Sequence, residues 1–128
     1  MTEWKWVGVS VALAAHREQL ALYGGGDGVR DEGLLDSALA RPLNLAAYGV
    51  PDAAQLAASY AFGIARNHPF VDGNKRVALM VCEAFLMKNG YRLTASNPEL
   101  SALFLEVAAG SVSEDELTDL LRNRIAAS

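Results

Sequence analysis

One cysteine, Cys82, leaves no partner for an internal disulfide, and its place in an apolar helical run fits a buried structural thiol. Histidine is also sparse, with His16 and His68 the two present and no His-Glu-x-x-His spacing. Zinc hydrolysis therefore lacks ligands, and a cysteine nucleophile lacks a paired base at a recognisable spacing. Positive charge is in deficit, 11 Lys and Arg against 15 Asp and Glu for a net of -4, which argues against a general binder of nucleic acid or anionic membrane. Any phosphate chemistry must be local. No run reaches the ~18 apolar residues of a membrane span. Val7 to Ala15 mimics a leader peptide, but Glu3 and two tryptophans make a poor basic start and helical spacing continues to Tyr23, so the stretch reads as part of the folded domain. Repeats, low-complexity tracts and linkers are absent, and a reducing cytoplasm suits the cysteine usage.

What is present is apolar content, 52% of 128 residues, enough for one domain over residues 1–128 that needs no metal or disulfide staple. Its pattern predicts an all-α fold of about six helices, with at most a very short strand pair. Trp4 to Val7 reads as a brief strand, after which Ser10 caps a helix to about Tyr23. Gly24-Gly25-Gly26-Asp27-Gly28 ends it as a C-cap and flexible turn, since no Gly-Lys-Ser/Thr follows to make a phosphate loop. Asp31 caps a helix from Glu32 to Ala40 that Pro42 stops, and a loop then runs through Tyr48 and Gly49. Asp52 with Gln55 forms a capping box opening a third helix to about Asn67, in which Gly63 permits close approach of a neighbour. Asn74 caps a fourth, apolar nearly all round and expected at the centre of the domain, ending at Asn89-Gly90. Tyr91 to Thr94 reads as extended. Asn97 with Pro98 opens a fifth helix to about Ala109, and Ser113 with Glu116 opens a sixth running to about Ile125.

Between the third and fourth helices lies His68-Pro69-Phe70-Val71-Asp72-Gly73-Asn74-Lys75-Arg76. Proline and glycine make it a tight loop. At the start of the fourth helix, Gly73, Asn74, Lys75 and Arg76 aim unpaired N–H groups and the positive end of the helix dipole at the loop, an arrangement that binds phosphate. Arg76 adds a bidentate fork, Lys75 a point charge and Asp72 a hard oxygen of the kind magnesium takes. His68 could remove a proton from an incoming hydroxyl. Taken singly, each has an ordinary explanation as a turn, surface or solvated residue. Two cations in a first helical turn oppose the dipole unless an anion is expected there, so the joint occurrence outweighs the separate explanations.

The nine-residue segment resembles the signature of the Fic/Doc superfamily, and Lys75 is similar to the death-on-curing (Doc) branch. The likeness extends to Gly28-Val29-Arg30-Asp31-Glu32-Gly33-Leu34-Leu35, to Ser37-Ala38-Leu39-Ala40-Arg41-Pro42 and to the overall length. The resemblance implies a compact Fic-type helical bundle and ATP- and Mg²⁺-dependent transfer onto a protein hydroxyl. In that reading His68 is the general base, Asp72 the metal ligand, Gly73 and Asn74 part of the anion nest, and Arg76 a phosphate contact. Lysine at position 75 implies the Doc reaction, transfer of the terminal phosphate of ATP to elongation factor Tu by a toxin of a toxin–antitoxin pair, with translation arrested. Pro69 and Gly73 follow the broader Fic pattern, and Met80 stands where a polar nucleotide contact is expected, so adenylyl transfer is the alternative. A catalytically silent module acting with its antitoxin in operon regulation is another. The family's inhibitory Ser/Thr-x-x-x-Glu-Gly/Asn motif has no match in this chain, which implies inhibition in trans by a separate, Phd-like antitoxin. The roles of Arg30, Arg41 and Arg66 stay open at this point.

Overall fold

A computed structural model describes residues 3–128. Its elements are α1 (Val9–Tyr23), α2 (Glu32–Tyr48), α3 (Ala53–Asn67), α4 (Asn74–Lys88), β1 (Tyr91–Leu93), α5 (Asn97–Ala109), α6 (Glu114–Arg122) and β2 (Ile125–Ala127). The fold is all-α with one two-stranded antiparallel clasp, Tyr91 opposite Ala127 and Leu93 opposite Ile125. No helix among the described residues is long and apolar enough to cross a membrane.

The most enclosed helix is α3 and not α4, against the expectation from apolarity: eleven of the 15 residues of α3 are buried and seven of 15 in α4. Side-chain size explains this. Ala54, Ala57, Ala58, Ala61 and Ala65 let neighbours approach on every side, and α3 packs against α2, α4, α5 and α6. At Gly63 an added Cβ would stand 3.2 Å from Ala38 of α2, so the two backbones nearly touch there. Leu56, Tyr60 and Ile64 of α3 join Leu35, Phe70, Val77, Val81, Phe85, Phe104, Leu117 and Leu121 in one core.

Several expected boundaries moved. α1 begins at Val9 behind Gly8, whose carbonyl accepts from Val11 and Ala12 N–H, so Ser10 is inside the helix and not its cap. Trp4 to Val7 is not a strand. Side chains satisfy its backbone instead: Asn89 bonds both polar groups of Lys5 at 2.9 Å, and the Tyr60 hydroxyl accepts from Val7 N–H at 2.9 Å and donates to Val7 O at 3.2 Å. α2 runs through Pro42 to Tyr48. An interior proline costs about 3 kcal/mol in helix propensity, but its ring is buried beside Leu39 on the face α2 turns to α3, and packing there prevails. The caps of α2 and α3 are as read, Asp31 accepting from Leu34 N–H and Asp52 completing its box with Gln55. Ser96 and not Asn97 caps α5, although Pro98 does sit in its first turn. The Ser113–Glu116 box opens α6 as expected, but the helix stops at Arg122 and Ile125 pairs in β2, so the chain does not end helical.

Candidate active site

α3 ends on His68, which takes a left-handed conformation (φ 50°, ψ 55°) with its N–H on Ile64 O. It is the one non-glycine residue with positive φ among those described. Such a conformation costs about 1–2 kcal/mol without a glycine, so surrounding contacts must hold it. They come from the segment after α1. Val29 and Phe70 form an antiparallel bridge, Val71 N–H donates to Gly28 O at 3.0 Å, and Pro69 O accepts from Arg30 N–H at 2.7 Å and Asp31 N–H at 3.1 Å. Arg30 also donates Nε to His68 O at 2.8 Å and Nη2 to Asn67 O at 2.9 Å. Beneath the loop, buried His16 stacks on Phe70 with ring centroids 4.4 Å apart and accepts Gly28 N–H on Nε2.

Where the loop meets α4, the expected cap is displaced by one residue: Asn74 is the first helical residue, and Gly73, at φ 78°, is the N-cap. The Asn74 carboxamide grips the loop, accepting from Phe70 N–H at 2.9 Å and donating to Phe70 O at 3.0 Å. With the asparagine engaged elsewhere, no side chain caps α4, and the first-turn N–H groups face the cleft together with the positive end of the dipole. Gly73 N–H is taken by Asp72 Oδ1 at 2.8 Å. A Cβ at Gly73 would run into buried Gln19 of α1, so both the positive φ and the space require glycine.

An open cleft of about 470 Å³ gathers these groups: His68, Asp72, Gly73, Asn74, Lys75 and Arg76 line one side. Leu79, Ser101, Phe104 and Leu105 line the other. All the residues singled out as candidates in the sequence thus lie on one cleft. Met80 does not: it packs against the core, and its neighbour Leu79 faces the cleft. Arg76 places its guanidinium 4.1 Å above the ring of Tyr23. Arg41 and Arg66 are elsewhere, both over Phe62, and Arg41 also pairs with Glu114.

Sequence reasoning missed the opposite wall, although Ser101, Phe104 and Leu105 share one helical face at i, i+3 and i+4. It also took the glycine cluster for a flexible turn. A Cβ at Gly25 would lie 2.6 Å from Asp72 Oδ2 and one at Gly26 2.7 Å from Val71 Cγ1, so the bare backbone there is what lets the α1–α2 connection press against the loop. Cys82 is fully buried and its thiol pKa is pushed up, by burial first and then by nearby Glu83, which removes it as a nucleophile.

No group of three or more His, Cys, Asp or Glu side chains converges among the described residues. A dedicated cation cage is therefore not offered, whereas one exposed carboxylate beside an uncapped helix start suits magnesium, which is commonly held by one or two carboxylates plus substrate phosphates. Residues 6–86 match the Fic/DOC family. The chain belongs to that family. It is 35% identical over 111 residues to "Protein kinase doc" of Escherichia phage P1, covering 86% of this chain and 87% of that protein. It is also 47% identical over 76 residues to "Toxin Doc" of Mycolicibacterium smegmatis, 57% of this chain and 58% of that one. Those likenesses fall on the Doc toxin branch of the Fic/DOC family.

Proposed function

We propose that this protein is the toxin of a type II toxin–antitoxin system and transfers the γ-phosphate of ATP to a hydroxyl of elongation factor Tu, arresting translation. The observation that carries the reading is His68 on the same cleft as the uncapped, lysine-bearing start of α4. His68 accepts the proton of the attacking hydroxyl, while the N–H groups of the α4 first turn and the Arg76 guanidinium hold phosphate oxygens. Asp72 would help hold a magnesium ion, which when bound would supply charge neutralisation. Lys75 stands at the helix entrance, where a small residue would let inner phosphates settle and present the α-phosphorus. Its bulk and charge favour the reversed nucleotide, with the γ-phosphorus next to the base. The likeness, over 86% of this chain, to a protein named as a kinase supports this direction. A separate, Phd-like antitoxin holds the activity off in trans, in keeping with a relative named as a toxin, and both partners meet the protein in the cytoplasm.

The test is purified protein with Mg²⁺, elongation factor Tu and ATP labelled at either the γ- or the α-phosphate. Label transfer from the γ position alone is expected. Transfer from the α position would make the chain an adenylyltransferase, and transfer from neither would return the silent antitoxin-binding module as the better reading.

A further inference from the structure

We propose that Arg30 is a positioning residue for His68, acting through the backbone and never touching nucleotide. The inference rests on the reading of His68 as the proton acceptor. The peptide planes on either side of the His68 α-carbon carry the carbonyls of Asn67 and His68, and these are the two oxygens that the Arg30 fork holds, at 2.9 and 2.8 Å. Two adjacent planes fixed in space define the φ and ψ of the residue between them, and so the direction of its Cβ. A third bond, from Arg30 N–H to Pro69 O at 2.7 Å, continues the grip to the next carbonyl.

Why this needs an arginine follows from the strain described above. His68 adopts a conformation that a histidine left to itself would leave. Its own N–H bond to Ile64 O is 3.2 Å long and holds one plane only. A guanidinium spans both carbonyls because its donors are coplanar and rigid, whereas a lysine ammonium is a point donor that commits to one geometry at a time. The charge also suits the place, since α3 ends here and exposes its negative dipole end. Arg30 does not line the cleft, so removing it strips no contact from a bound phosphate. Together these separate Arg30 from Arg76, which does line it.

The experiment uses the full chain and the substitutions Arg30→Lys, Arg30→Gln and Arg30→Ala. The two histidines make the imidazole region of an NMR spectrum simple to read, with the His68 signal identified by its loss in His68→Ala. In wild type a single His68 signal is expected, and in Arg30→Ala a doubled or broadened one, with the His16 signal unmoved and Arg30→Lys intermediate. In γ-label transfer, kcat should fall about ten- to a hundredfold in Arg30→Ala, while KM for ATP stays within about twofold. An unchanged His68 signal, equal movement of both histidine signals, or a rise in KM with kcat unaltered would overturn the proposal. If Arg30→Ala does not fold, Arg30→Lys and Arg30→Gln decide by the same readings. Wild type that transfers no label refutes the kinase reading and leaves the imidazole spectra to decide the positioning role.

Discussion

At the scale of single residues, the site divides into groups that face the cleft and groups that hold them there. His68 faces it and contributes little packing, being exposed. His68→Ala should therefore abolish growth inhibition, a loss of about 10²- to 10⁴-fold in transfer rate, while far-UV circular dichroism and thermal midpoint stay at wild type. Asp72→Asn keeps shape but not charge. ATP binding followed by calorimetry should weaken in magnesium and change little in chelator; equal weakening in both would make Asp72 a turn residue. His68, Asp72, Lys75 and Arg76 could be found in the sequence because their chemistry is improbable as a group within nine residues. Arg30, Gly25 and Gly26 could not, since their part depends on what lies opposite them in space, and Asn74 was misassigned because a good capping residue is equally good at gripping a loop.

Individual elements show the same division between local and tertiary causes. Capping boxes were read correctly at Asp52 and Ser113 because both halves lie within four residues. Pro42 and Ile125 were misread because a buried face on α3 and a strand partner at Tyr91 to Leu93 outweigh local preference. The Trp4 to Val7 segment shows how side chains substitute for a sheet. Tyr60→Phe removes the hydroxyl that serves both buried backbone groups of Val7 and should cost about 1–3 kcal/mol in urea unfolding, with transfer activity retained. The junction of α3 and α6 has a pH signature. The Arg122 guanidinium, bonded to Asp52 at 2.8 Å, is the main cause holding the Asp52 carboxyl below its ordinary value of 3.8. A depressed folded-state pKa gives stability that is present above the unfolded value and lost as pH falls through the folded one. Asp52→Asn should therefore lower the urea midpoint at neutral pH, with the difference from wild type shrinking as pH falls below the ordinary carboxylate range and Asp52 takes up its proton. The difference will be small, because both partners are substantially exposed.

For the whole molecule, α4 is the axis that relates its two ends. The cleft is built on its first turn. At the other end, about 22 Å away at 1.5 Å per residue, the Asn89-Gly90 turn collects both ends of the described chain. Asn89 holds Lys5, and Gly90 O accepts from Ser128 N–H at 3.0 Å, next to the Tyr91–Ala127 pair. Under tension between residues 5 and 128, the path between the two loaded ends runs through that one turn, from the Asn89–Lys5 bonds to the Gly90–Ser128 bond. Because β1 and β2 are antiparallel and Ser128 is at the loaded tip, their hydrogen bonds are met one after another, as in a zipper, and not all at once in shear. Single-molecule pulling should show a first small extension at low force as β2 peels away, followed by a separate, higher-force rupture of the helices. A protein threaded from residue 128 by an unfolding motor would thus surrender its strand clasp well before the cleft at the start of α4 is disturbed.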